Sequence, residues 1–409
     1  MSDRERGVMS GTMTGNMTGN LTGTRERWRM SLEARALLLV TAVLVSFGLA
    51  VLYSASALQA ISANSPGHFF VLRQFTGVVV GVVIFAVCAK VDAEVWRRYA
   101  WHIMGISLVL MLIVILPGTE AISKSMYGSR RYLFNGSIQP SELAKFAVLV
   151  WTPMLLVKKG AAVKQLGKGL MPFAVVIGAL SLLAILEPDI SVAMMFCLIM
   201  AVLLFVGGAR VSHFLLFGAV GLLLIGFQAS QSSYVRKRVE SFLSKEQEST
   251  TRSATADQQY QSFVAVGSGG IAGVGFSQGN QQRGWLPLAY NDFIGSIVGE
   301  EFGFLGLGAL TLAFALYGWL GFRIARQARS PFTALLAIGI TFVTVFTAFI
   351  HLGVVIGLLP NTGLTLPFVS YGRSNLVLTL AMTGILVNIG SDRERVYGAT
   401  ATDPLVAMA

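Results

Sequence analysis

The chain has 409 residues, of which 54% are hydrophobic and 12% charged, and a formal net charge of +11; its mean hydropathy is +0.68. Soluble globular chains carry about a quarter charged residues, so too little polar surface remains to coat a water-soluble particle of this size. No basic segment interleaved with aromatics stands in a soluble module, which argues against nucleic acid as a partner; the loops of a membrane protein account for the positive excess. Cys88 and Cys197 each lie in an apolar run, far from a second thiol or a histidine at ligand spacing, so neither a disulfide nor a metal is expected from them.

Residues 1–33 contain a four-residue repeat, MTGNMTGNLTG, with too little apolar surface to order itself, and read as a disordered cytoplasmic tail. They lack a secretory cleavage pattern, so the first apolar run is expected to be a retained span. Apolar runs follow at about 36–58, 74–89, 99–117, 141–157, 169–186, 190–207, 212–228, 293–321, 332–359 and 375–390. A run of about 20 such residues matches the hydrocarbon core of a bilayer. The expected fold is therefore an all-α polytopic membrane protein of about ten transmembrane helices. Its transmembrane domain covers 34–392, and a cytoplasmic C-terminal tail covers 393–409. Alternation puts Arg25, Arg27 and Arg29, then Lys158, Lys159, Lys164 and Lys168, then Arg323, Arg326 and Arg329 on one side. By the positive-inside rule that side is the cytoplasm, with both termini in it. A large extracytoplasmic loop, about 229–291, then joins spans 7 and 8.

Polar residues that anchoring does not explain concentrate in the outer loops. In GSRRYLFNGSIQPSELAKF, Pro140 suits the first turn of a helix, Glu142 follows near the positive end of its dipole, and Lys145 lies three residues on along the same face. The segment reads either as a helix start with a local ion pair or as a cationic pole of Arg130, Arg131 and Lys145 that binds an anionic headgroup or pyrophosphate. The glycines from Gly267 to Gly275 resemble a phosphate-cradling loop, but no strand precedes them and no GK[ST] follows. Asp292, just before the eighth span, reads either as a helix cap or as a carboxylate able to take a proton from a sugar hydroxyl. Glu300 and Glu301 point about 100° apart on a helix, so at most one is expected to face a partner comfortably, with structural ion pairing for the other. Asp189 in LEPDI reads first as a cap or turn residue. The stretch from Gly357 to Asn375 combines two prolines with several glycines, and such irregular backbone is tolerated only where it is buried or lines a wet cavity.

Taken together, LYSASALQA, RRYLFNGSIQPSELAKF, EPD, SFVAVGSGGIAGVGF with LPLAYNDFIGSIVGEEFGFLG, and GLLPNTGLTLPFVSYG resemble the SEDS family of bacterial membrane peptidoglycan glycosyltransferases. They occur in family order across about 36–392, and the GLTLPFVSYG form and the YSAS segment are more similar to the division branch, the FtsW type, than to the elongation branch, the RodA type, which stays the alternative. The resemblance implies polymerisation of lipid II into β-1,4-linked glycan on the outer face of the bacterial cytoplasmic membrane, at the division septum. It implies Asp292 as the catalytic carboxylate. Arg130, Arg131, Glu142, Lys145, Asp189, Glu300, Ser370 and Tyr371 are implied as substrate-binding positions, with a divalent cation (magnesium or manganese) as a possible cofactor. The partners implied are a class B penicillin-binding protein transpeptidase and other divisome membrane proteins. A lipid II flippase and a non-catalytic scaffold for that transpeptidase are the rival readings. The chain departs from the family pattern at Leu288, at Tyr290 and Asn291 where His-Thr is common, and at Arg373 and Asn375 where small residues are common.

Overall fold

The computed structural model describes residues 25–119, 123, 130–133, 138–210, 212 and 254–396. Helix α1 (Leu32–Ser62) begins before the expected 36 because Ser31 caps it, its hydroxyl accepting the Ala34 N–H at 3.1 Å. There follow α2 (Phe69–Lys90), α3 (Ala93–Ile115), α4 (Pro140–Lys159), α5 (Met171–Leu186) and α6 (Ile190–Val206). Beyond them come α7 (Ala254–Gly269), α8 (Ala289–Asp292), α9 (Ile294–Arg326), α10 (Pro331–Val355) and α11 (Arg373–Ile389). Among the described residues seven helices are long and apolar enough to cross a bilayer, and α6 and α11 are shorter apolar helices of 17 residues each. The expected seventh span, 212–228, lies outside the described residues apart from Ser212.

One expectation needs correction. The segment 25–30 forms strand β1 (Arg25–Met30), paired with β2 (Ser391–Val396), so the N-terminal tail is not disordered up to its expected boundary. Composition reports only the apolar surface a segment carries, whereas here backbone groups from opposite ends of the chain satisfy each other. The loop expected at 229–291 also holds α7 and α8, because α7 packs along α9 rather than standing in solvent.

The bundle is inside-out in the manner lipid requires. On the peripheral helix α2, Val79, Val80, Val82 and Val83 are exposed, whereas on the central helix α4 Val148, Leu149, Val150, Trp151 and Thr152 are fully buried. Buried threonines bond back to their own helices: Thr344 and Thr347 donate to the Ile340 and Val343 carbonyls, and Thr379 and Thr383 to those of Asn375 and Thr379. These bonds satisfy those four hydroxyls, whereas the Thr152 and Thr341 hydroxyls are buried without a hydrogen-bond partner among the described residues. Small residues set the close approach of α2 and α11: a Cβ at Gly81 would stand 2.5 Å from Leu380, and one at Gly384 2.6 Å from the Phe85 carbonyl.

Helix α9 is broken at Gly303, where φ is +65° and ψ −159°, and the break accounts for the glycine run. Val274 and Gly275 donate their N–H groups to the Glu300 and Glu301 carbonyls at 3.0 and 3.1 Å. In return, Phe304 and Leu305 donate to the Gly270 and Ile271 carbonyls at 2.9 and 3.1 Å. Backbone freed at membrane depth needs such partners. A Cβ at Gly269 or Gly273 would overlap the α9 carbonyls, so these glycines permit close backbone approach and cradle no phosphate.

Candidate active site

Helices α4, α6, α9 and α11 begin, and α5 and α10 end, at one boundary of the bundle, where most of the sequence-derived candidates meet. Arg131 spans three acceptors in the α5–α6 connection: its Nε donates to the Glu187 carbonyl at 3.2 Å, one terminal nitrogen to the Pro188 carbonyl at 2.6 Å, and the other stands 3.3 Å from Asp189 Oδ2. The planar five-donor fork of arginine suits this arrangement. Asp189 is also the cap expected of it, its Oδ1 accepting the Val192 N–H at 3.3 Å. Arg130 lies partly buried beside Arg131.

Glu142 and Lys145 form a buried ion pair at 2.7 Å. They line, with Thr344, Thr347, Asn375 and Thr379, a cavity of about 20 Å³ between α4, α10 and α11, which has room for a single water. Lys145 is thus engaged by Glu142, and the cavity around it is far too small for a saccharide headgroup. The departing residue Asn375 is absorbed here: its amide nitrogen donates to Thr365 Oγ1 at 2.5 Å and its oxygen accepts from Thr379 at 2.9 Å.

Asp292 is not a helix cap. It closes α8, and the N-cap place of α9 belongs to Phe293, which makes no side-chain cap bond. The residues before it are pinned from the 357–375 segment: the Ser370 hydroxyl donates to the Asn291 carbonyl at 2.7 Å and the Tyr371 N–H to the Tyr290 carbonyl at 3.0 Å. Gln74 of α2 holds that segment in turn, donating to the Ser370 carbonyl at 3.2 Å and accepting the Gly372 N–H at 3.1 Å. The rings of Phe70, Tyr290 and Tyr371 pack mutually, with centroids 4.6 to 5.7 Å apart, which is how the unusual Tyr290 is accommodated. Gly363, at a φ of +69°, lies beside Asp292: a Cβ there would meet Asp292 Oδ2 at 3.9 Å, an ordinary contact.

Two groups that sequence reasoning did not single out complete the cluster. Partly buried Tyr132 lies within electrostatic reach of Asp292, Arg131, Asp189 and Glu142 together. Burial, then the three carboxylates, pushes its phenol up to about 12 against the pull of Arg131, so it stays a neutral hydrogen-bond donor at physiological pH. Glu187 is 2% exposed, and neither carboxyl oxygen meets a hydrogen-bond partner among the described residues. Burial, with Asp189 adding and Arg131 opposing, pushes its pKa up to about 8. The EPD motif pointed to the place, but only the packing distinguishes its first acid from its second.

Glu300 stands apart from this cluster. Its carboxylate accepts the Asn280 N–H at 2.7 Å and the Gln281 N–H at 3.2 Å, while Glu301 accepts from Ser54 of α1, which also contacts Gln282 at 2.8 Å. The expectation that at most one of the pair finds a partner, with an ion pair for the other, is therefore corrected. Both are engaged in hydrogen bonds, because the loop supplies one set of donors and α1 the other.

Among the described residues no three His, Cys, Asp or Glu side chains gather as metal ligands, and Asp189 is committed to Arg131. These residues do not by themselves build a divalent-cation site, so no chemical step below is routed through one.

Residues 34–395 match the family of cell cycle proteins FtsW, RodA and SpoVE. The chain is 34% identical over 359 residues to the probable peptidoglycan glycosyltransferase FtsW of Geobacter sulfurreducens, covering 87% of this chain and 94% of that protein. It is also 34% identical over 356 residues to the stage V sporulation protein E of Bacillus subtilis, covering 86% and 95%. In fold it is similar to a chain from a structure described as the structural coordination of polymerization and crosslinking by a peptidoglycan synthase complex, with a TM-score of 0.70, 24% identity, and coverage of 87% of this chain and 97% of that one. It is similar as well to the crystal structure of the Thermus thermophilus rod shape determining protein RodA, with a TM-score of 0.63, 23% identity, and coverage of 87% and 95%.

Proposed function

Since the chain belongs to the family of cell cycle proteins FtsW, RodA and SpoVE, we propose that it is a peptidoglycan glycosyltransferase that polymerises lipid II into β-1,4-linked glycan for septal wall synthesis. The observation that carries the reading is the braced, partly exposed Asp292 carboxylate, which lies within electrostatic reach of Tyr132 together with Arg131 and Glu142.

In this reading Asp292 takes the proton from the acceptor 4-hydroxyl as the oxygen attacks the anomeric carbon of the donor. The C1–O bond to the undecaprenyl pyrophosphate breaks, and the electron pair leaves with the phosphate. Fixed cations lower the barrier most where that charge develops. Arg131 must exchange Asp189 for phosphate, and Lys145 must exchange Glu142, with Arg130 adjoining Arg131 in the chain as a further cation. Tyr132, which stays protonated, is a further donor to the leaving group or acceptor. Ser370 and Tyr371 act on the Asp292 segment through its backbone, and Glu300 orders the loop before it, so these three position rather than bind.

The same reading places both termini in the cytoplasm, with ten spans when 212–228 is counted, the transmembrane domain over 34–392, and the Asp292 cluster on the outer side of the cytoplasmic membrane. Its partners are a class B penicillin-binding protein transpeptidase and other divisome membrane proteins. One observation favours the flippase reading, the broken helix α9, since broken spans recur in transporters; its stitched backbone argues for a static break.

The test is polymerisation of purified lipid II by the reconstituted protein with its transpeptidase, comparing wild type with Asp292→Asn. Polymer from wild type alone is expected. Polymer from both would move the base elsewhere, and transport without polymer would select the flippase.

A further inference from the structure

His351 is a lone histidine in the apolar span α10, 1% exposed, and both ring nitrogens are used. Its Nε2 accepts the Gly295 N–H at 3.3 Å, and its Nδ1 stands 2.9 Å from the Leu364 carbonyl. A carbonyl only accepts, so Nδ1 carries the proton and Nε2 the lone pair. A doubly protonated ring would set a donor against the Gly295 N–H; the geometry is that of the neutral ring alone.

The two bonds fall on either side of Asp292. Gly295 is the second residue of α9, in the turn whose N–H groups have no acceptor within the helix, and Phe293 supplies no cap of its own. His351 therefore caps α9 from another helix, three residues beyond Asp292. Leu364 follows Gly363, whose Cβ position lies 3.9 Å from Asp292 Oδ2. The close approach depends on glycine at 295, since a Cβ there would meet the imidazole at 3.4 Å and Val355 at 3.1 Å. Ser370 and Tyr371 fix the chain immediately before Asp292; His351 fixes it immediately after and ties it to the segment across from the carboxylate.

We propose that His351 is a positioning residue for glycosyl transfer, a neutral imidazole that caps α9 and holds the 361–366 segment against Asp292. The inference rests on the reading of Asp292 as the base. Because a misplacement of about 1 Å costs on the order of 10²-fold in rate, its loss acts on turnover and leaves substrate binding alone.

The experiment compares wild type, His351→Leu, His351→Gln, His351→Asn and Asp292→Asn, each reconstituted with the transpeptidase and supplied with lipid II, with hydrogen exchange read over 289–298 and 361–366. A Gln amide reaches the place of Nε2 and an Asn amide does not. The expected result is a kcat for His351→Leu at least about 10-fold below wild type with KM within about 2-fold, faster exchange confined to those two segments, and a kcat for His351→Gln several-fold above His351→Leu. If His351→Leu fails to insert, the comparison passes to His351→Gln against His351→Asn, with the Gln variant the faster. Equal rates for Gln and Asn, a His351→Leu defect lying in KM, or wild-type turnover in His351→Leu while Asp292→Asn is dead would overturn this inference alone. Polymer from Asp292→Asn at the wild-type rate would overturn the base reading and this inference together.

Discussion

The Ser370 hydroxyl donates to the Asn291 carbonyl at 2.7 Å while its oxygen accepts the Leu366 N–H at 2.9 Å, so one side chain ties the residue before Asp292 to the turn that faces it. Ser370→Ala removes both bonds and leaves the Asn291 carbonyl without that donor. A net loss of about 1 kcal/mol in stability is expected, with a fall in kcat that exceeds any change in KM. Thermal unfolding in detergent and steady-state polymerisation measure the two effects.

Arg131 is held to the Glu187 and Pro188 carbonyls and to Asp189 at once. A lysine keeps the charge but offers one ammonium to three acceptors in fork geometry. Arg131→Lys is therefore expected to lose most of the activity that Arg131→Ala loses. The double variant Arg131→Ala with Asp189→Asn should fall short of the sum of the two single effects, since the partners act as a unit. A double-mutant cycle on kcat/KM checks this, and additivity would mean that the pair is incidental.

Glu187 binds its proton more tightly when folded, since its pKa is raised from 4.5 to about 8. Between those values the native state holds more protons than the unfolded chain, so stability falls as pH rises through that window and the penalty is complete above pH 8. Glu187→Gln, which is neutral throughout, is expected to flatten this part of the profile and to be the more stable protein at pH 8.5, with little difference at pH 4.5. Melting temperatures at pH 4.5, 6.5 and 8.5 provide the comparison; parallel curves would mean that Glu187 is ionised in the folded protein.

Gly303 combines a φ of +65° with a space in which a Cβ would lie 2.5 Å from the Gly273 nitrogen and the Ile271 carbonyl. Gly303→Ala meets both a backbone penalty of about 1 kcal/mol or more and a clash with the stitch that closes α9. A large loss of folded protein is expected. Gly178→Ala in α5, where nothing lies within 4 Å, should be neutral or slightly stabilising, since alanine is the better helix former. Recovery of monodisperse protein after detergent extraction distinguishes them.

The amino-acid sequence determined the bilayer as solvent, the approximate place of each described span, the helix start at Pro140 and the Glu142–Lys145 pair. Each of these depends on local composition or on spacing along one helix, which a single chain displays directly. The family motifs likewise pointed to Asp292. Tertiary structure decided the rest. Only packing distinguishes a buried Glu187 from a paired Asp189 two residues away, makes a cap for α9 out of a histidine 56 residues downstream, and turns a glycine run into the repair of a broken helix. It also supplied the Glu300 carboxylate with the Asn280 and Gln281 N–H groups. The physical reason is common to all four: a buried polar group is defined by the partner that satisfies it, and these partners come from distant parts of the chain, where no periodicity in the sequence records them.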